Sequence, residues 1–193
     1  MPKKKTVWKT HETDQISIAL PDTFIAGHPF HDRASLKEEV NDLPENVRKI
    51  FKTLFSNRNF VFLAADRGFN PEMSSLTCLV VLPERVPLFK AKSGIEDYFK
   101  MVKKNLGQGF ETVEEEYFEK DGIQAGRVLA FQNERKTRKN PEPQTSRKHL
   151  MYAFRLKKNY WAFDFIADAS VFDKFLPLFD QSIKSLTFKE KAK

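Results

Sequence analysis

Two histidines and a carboxylate stand within five positions, His28-Pro-Phe-His31-Asp32. Imidazole nitrogen and carboxylate oxygen are the donors that hold zinc and similar ions, so His28, His31 and Asp32 are the candidates for a small metal-dependent hydrolase. The segment reads as a loop and signals no further ligand. A turn with surface histidines is the favoured reading, and no metal or other cofactor is expected. A second constellation is basic. Arg135, Lys136, Arg138 and Lys139 precede Asn140-Pro-Glu-Pro-Gln-Thr, and Arg147 and Lys148 follow it. Such a loop could meet phosphates or an acidic protein surface. It lacks the interleaved aromatics on which bases stack, so a protein partner of acidic character ranks above nucleic acid, and a solvated hairpin tip ranks above both. A nucleic-acid-associated protein using residues 135–148 is the alternative.

Other short patterns carry less chemistry. Gly107-Gln-Gly109 follows a helical pattern and lacks a third glycine, so it reads as a helix stop and not as a phosphate cradle. Glu114, Glu115 and Glu116 alternate between the faces of a strand and do not converge on a cation. A solvated edge strand is expected there. Nucleophile elbows, phosphate loops and His-Glu-x-x-His strings are absent from the sequence. An enzyme is not expected.

The elements that would position these residues follow from composition and period. The chain has 193 residues and carries 19 Phe against 4 Tyr and 2 Trp. Phe has no polar handle, so most of these rings must be buried in a sizeable core. Lys plus Arg exceed Asp plus Glu by 33 to 26, giving +7, with much of the excess in the tails and in the 135–148 loop. That favours anionic partners only mildly. The lone Cys78 lies inside the apolar run 76–82 and reads as a small core residue. Met-Pro-Lys-Lys-Lys opens the chain with no apolar run of the ~7–15 residues that a leader needs, so a cytoplasmic location is expected. No run approaches the ~18 residues of a membrane span.

Ile16, Ile18 and Leu20 alternate as a strand. Residues 23–34 read as a loop. Ser35-Leu-Lys-Glu38 has capping-box spacing, and Val47, Ile50, Phe51, Leu54 and Phe55 form a helical stripe after Pro44. The runs 60–65 and 76–82 are apolar on both faces, which strands tolerate only when covered on both sides. Ile95, Tyr98, Phe99, Val102 and Leu106 mark another helix. Residues 111–119 read as a polar strand with Val113 and Tyr117 inward. Asp121-Gly122 turns it into the strand 123–132. Residues 150–156 and 160–166 form a further hairpin. Asp168 or Ser170 opens a last helix, in which Pro177 should produce a kink or mark a later start.

The order β, α, ββ, α, ββ, ββ, α implies an α/β/α sandwich around a mainly antiparallel sheet of about six to seven strands. Residues 14–188 are expected to form one domain, flanked by basic tails at 1–13 and 189–193.

Three segments make this pattern resemble the PsbP/Mog1-like fold family. They are the opening strand with Leu20-Pro-Asp-Thr-Phe24, the central pair leading to Ser93-Gly-Ile-Glu-Asp-Tyr-Phe99, and the closing stretch Tyr160-Trp-Ala-Phe-Asp-Phe165 through Phe172, Phe175 and Phe179 to Ser185-Leu-Thr-Phe188. The resemblance covers roughly residues 14–188 and rests on hydrophobic order, so no functional residue is carried over. It implies a non-enzymatic role. PsbP-like members are accessory proteins of photosystem II, Mog1-like members bind the Ran GTPase, and a similar bacterial branch acts as chaperones for secreted effectors. A non-catalytic binding, adaptor or chaperone-like protein is therefore the expectation. The partner would dock at a sheet edge or in a groove beside the helices.

Overall fold

The structure is a computed structural model. It describes residues 6–41, 43, 45–56, 59–68, 76–86, 93–106, 110–132 and 146–189. Arg135, Lys136, Arg138 and Lys139 lie outside them.

The apolar runs build a seven-stranded sheet in which every pairing is antiparallel. Its strands are β3 (Phe24–Gly27), β4 (Phe62–Asp66), β5 (Cys78–Arg85), β6 (Phe110–Lys120), β7 (Ile123–Gln132), β8 (Arg147–Leu156) and β9 (Asn159–Asp168), in the order β3-β4-β5-β9-β8-β7-β6. The strands read as two-faced, β4 and the first half of β5, are buried throughout, as double coverage demands. Cys78 is buried in β5, and burial pushes its thiol up to about 12.

Helix α4 (Ala169–Ser185) covers one face of this sheet. Beside it lies a small sheet of β1 (Trp8–Glu12), β2 (Ile16–Pro21) and β10 (Thr187–Phe188), ordered β1-β2-β10. Ile16, Ile18 and Leu20 of β2 join Phe154, Phe163, Phe165, Phe172 and Phe179 in one core. Burying each such ring or branched chain contributes roughly 1.5–3 kcal/mol. The other face carries α1 (Arg33–Asn41) and α2 (Glu45–Ser56) over β3–β5, and α3 (Ile95–Leu106) over β7–β9. This is the α/β/α arrangement that the sequence implies.

Local chemistry sets the joints. Asp121 and Gly122 both have positive φ, 52° and 75°, as a tight two-residue hairpin of the mirror-image type requires. Asp168 caps α4 by accepting from the Ser170 amide at 3.0 Å. Lys120 at the end of β6 donates to the carbonyls of Leu186 at 2.7 Å and Ile183 at 3.4 Å, satisfying the free end of α4. Gly126 lets α3 approach the sheet, since a Cβ there would stand 2.7 Å from the Phe99 ring.

Several expectations are corrected. Residues 8–12, read as tail, form β1; only His11 of the strand is buried and Trp8 is half-buried, so its sequence shows no apolar alternation. Residues 24–27, read as loop, form β3, which is too short to show a period. The strand around Ile16–Leu20 belongs to the small sheet, not to the large one. Asp32, not Ser35, stands at the N-cap position of α1, its carbonyl accepting from Leu36 N at 2.9 Å. Pro177 does not delay α4, which begins at Ala169. Val113 and Tyr117 do not point inward to a core. Both are exposed, and a bulge between Thr112 and Glu114 leaves Val113 unpaired.

Candidate functional site

His28, His31 and Asp32 are brought together in the turn between β3 and α1. Their polar atoms serve that turn. Asp32 Oδ2 accepts from the His28 amide at 2.7 Å, and His28 Nδ1 accepts from the amides of Phe30 at 3.1 Å and His31 at 3.3 Å. Partial burial, and then the neighbouring His31, push the His28 imidazole below its ordinary value. Glu12, Thr13 and Asp14 form the opposite wall of an open cavity of about 430 Å³. Glu12 is already paired with Lys189 at 2.9 Å. Among the described residues, no three His, Cys, Asp or Glu side chains are arranged to hold a metal ion.

The described part of the basic loop begins β8. Lys148 reaches Asp173 of α4 at 2.8 Å and lies 5.6 Å from the centre of the Phe172 ring, so it staples helix to sheet. Arg147 sits opposite Asp168 in the β8–β9 register. Neighbours along a strand face opposite ways, so these two cations do not form one patch.

The β6–β7–β8 end of the sheet is open. β6 closes the order of the large sheet, with β7 on one side and no described strand on the other. Residues 113–117 are exposed in unbroken succession. These residues keep exposed side chains although Glu115 and Tyr117 reach Lys103 and Phe99 of α3 on one face and Glu114 reaches Arg127 on the other. On the α4 side the open end becomes a groove of about 390 Å³. Register lines up its floor: Glu116 pairs with Arg127, and Arg127 with Tyr152. Arg127 reaches Glu114 at 2.8 Å and Asp180 of α4 at 3.6 Å, and the Tyr152 hydroxyl donates to Asp180 at 2.5 Å. Burial opposes the Arg127 charge, but the bond to Glu114, with help from Tyr152 and Asp180, outweighs it and raises its pKa. Burial, and then Asp180, push the Tyr152 hydroxyl far above the usual tyrosine range. Phe118 and Ile183 supply apolar walls. The result is a mixed-charge trough beside the edge strand.

A second polar network lies on the opposite face. His149 Nδ1 is 3.1 Å from both Asp164 oxygens, and Nε2 is 3.1 Å from Gln132 Oε1. A carboxylate orienting an imidazole is half of a nucleophile-activating array. The position that a nucleophile would take is filled by the Gln132 amide, and Phe110 covers the ring at 4.9 Å between centroids. The pair orders three strands and leaves no bonded hydroxyl or thiol to activate.

No protein-family profile and no curated sequence matches the chain. Solved structures do. PsbP (CyanoP) of the cyanobacterium Synechocystis sp. PCC 6803 is similar at a TM-score of 0.55 and 12% identity, over 98% of this chain and 96% of that one. The Ran-binding protein Mog1p of Saccharomyces cerevisiae is similar at 0.55 and 10%, over 95% and 96%. PA94 of Pseudomonas aeruginosa, described as a putative regulator of unknown function, is similar at 0.51 and 9%, over 95% and 98%. With a seven-stranded antiparallel sheet between helical layers and nearly full coverage of both chains, this protein has the PsbP/Mog1-like fold.

Proposed function

We propose that this chain is a non-catalytic protein-binding module, adaptor or chaperone-like, acting in the cytoplasm. Its partner docks along the outer edge of β6 and in the groove between β6–β7 and α4. One observation carries the reading: β6 ends the large sheet with five successive exposed residues, 113–117, beside a preformed trough. An open strand edge offers a row of backbone donors and acceptors, and proteins use such edges to add a partner strand. The fold supports the same class of role, since one structure that shares it is a Ran-binding protein. Among the described residues, no helix is long and apolar enough to cross a membrane.

Site-directed photocrosslinking in the source cell tests the proposal. A photoreactive residue at exposed Val113 of β6 is expected to yield one or a few discrete protein adducts. The same residue at exposed Lys37 of α1, by the opposite edge, is expected to yield none of them. Indistinguishable adduct patterns from the two positions would overturn it.

A further inference from the structure

Resting on that docking reading, we propose that the occupant of the β6 edge is an extended, Lys/Arg-rich segment of a partner protein, added to the sheet as a further strand. The charge on the edge argues for it. β6 carries Glu111, Glu114, Glu115, Glu116 and Glu119 against a single Lys120, in a chain whose net charge is +7. Glu114 is held by Arg127, and Glu115 by Lys103 at 2.6 Å. Glu111, Glu116 and Glu119 are exposed and make no ion pair among the described residues. They occupy both faces. Glu116 lies opposite Arg127 on the α4 side, and Glu119 lies opposite Gln124 on the α3 side.

These carboxylates sort the strands that could add there. A second copy of β6 would set glutamate against glutamate, and like charges directly opposed weaken a strand pair. The edge is thereby guarded against its own kind. A neutral strand would gain only the backbone hydrogen bonds. A cationic strand gains those bonds and an opposite charge on either face, and the basic residues need not alternate with apolar ones. Backbone pairing supplies affinity and side chains supply selection, the usual division in strand addition. The sign is opposite to that of the acidic partner expected from the 135–148 loop, most of which lies outside the described residues.

The test titrates the full chain with a synthetic peptide of lysine, valine and threonine and follows the backbone amides by NMR. Shifts concentrated in residues 110–120 are expected. A peptide with glutamate in place of lysine should leave them unmoved, and added salt should weaken the response. The double variant Glu116→Gln/Glu119→Gln removes two exposed charges without setting a cation opposite Arg127, so it keeps the fold; it should bind the basic peptide about tenfold less tightly. Unmoved β6 amides, or equal binding by the double variant, would overturn the proposal. Discrete Val113 adducts in the cell together with a basic peptide that ignores β6 would leave the docking edge standing and remove its basic occupant. Peptide binding at β6 without cellular adducts would overturn the docking proposal and its occupant together, and leave only a preference of the edge for basic strands.

Discussion

Cys78 shows how one buried atom ties stability to pH. Its thiol ordinarily ionises near 9, and in the folded chain only at about 12, because burial foremost and then the Asp164 charge oppose the thiolate. The folded pKa is the raised one. The stabilisation it represents is therefore complete below pH 9 and is lost as pH climbs toward 12, because the unfolded chain releases its proton first. Wild type and Cys78→Ala, compared by denaturant unfolding, should differ by a constant amount up to about pH 9. Above that the wild-type advantage should shrink by about 1.4 kcal/mol per pH unit. A constant difference through pH 11 would mean that the thiol ionises freely in the fold. The core role of this residue is legible from the apolar run around it. The groove is less so. Arg127, Tyr152 and Asp180 are far apart in sequence, and no short motif joins them. Counting outward from the Asp121-Gly122 turn does place Glu116 opposite Arg127. The remaining two partners depend on strand order and on where α4 lands.

At the scale of elements, Lys120 joins the edge strand to a helix end. Its ammonium satisfies carbonyls at the C-terminus of α4, where the helix dipole also favours a cation. Replacing it, Lys120→Met, should cost about 1 kcal/mol and speed amide exchange in the last turn of α4 without altering the Asp121-Gly122 turn. Unchanged exchange in that turn would show that water serves the carbonyls as well. Long elements were readable because period and turn chemistry agree in them: β7 after its hairpin turn, the two-faced β4 and β5, the aromatic stripe of α4. Short or one-sided elements were not. β3 has four residues, and β1 buries little besides His11, so neither generates a pattern. The bulge at Val113 inverts the alternation that pointed this side chain inward. Pro177 is tolerated because α4 is anchored on both sides of it, by Phe172 and Phe179 in the core.

For the molecule as a whole, charge and openness are unevenly spread. A basic chain concentrates five carboxylates on β6, which has no described strand on its outer side. The opposite edge, β3, is short and lies under α1. The large sheet thus has one end built for solvent or a partner and one end closed by its own helices. The small sheet holds a different consequence. β1 and β10 flank β2, with Glu12 and Thr187 both opposite Ser17, so the first and last strands run side by side about 10 Å apart. The two strands are parallel, so Trp8 lies by Pro21 and Phe188 by Ile16, at opposite ends of β2, a gap of about 20 Å that an added linker can span. Joining the ends by a flexible linker and reopening the chain at Asp121-Gly122 should give a circular permutant that folds to the same sheets. It should fold more slowly, because the β6–β7 hairpin would become a long-range pairing. Failure of that permutant to fold, set beside success of one opened at Lys157-Lys158, would mark the β6–β7 turn as the place where this fold must begin.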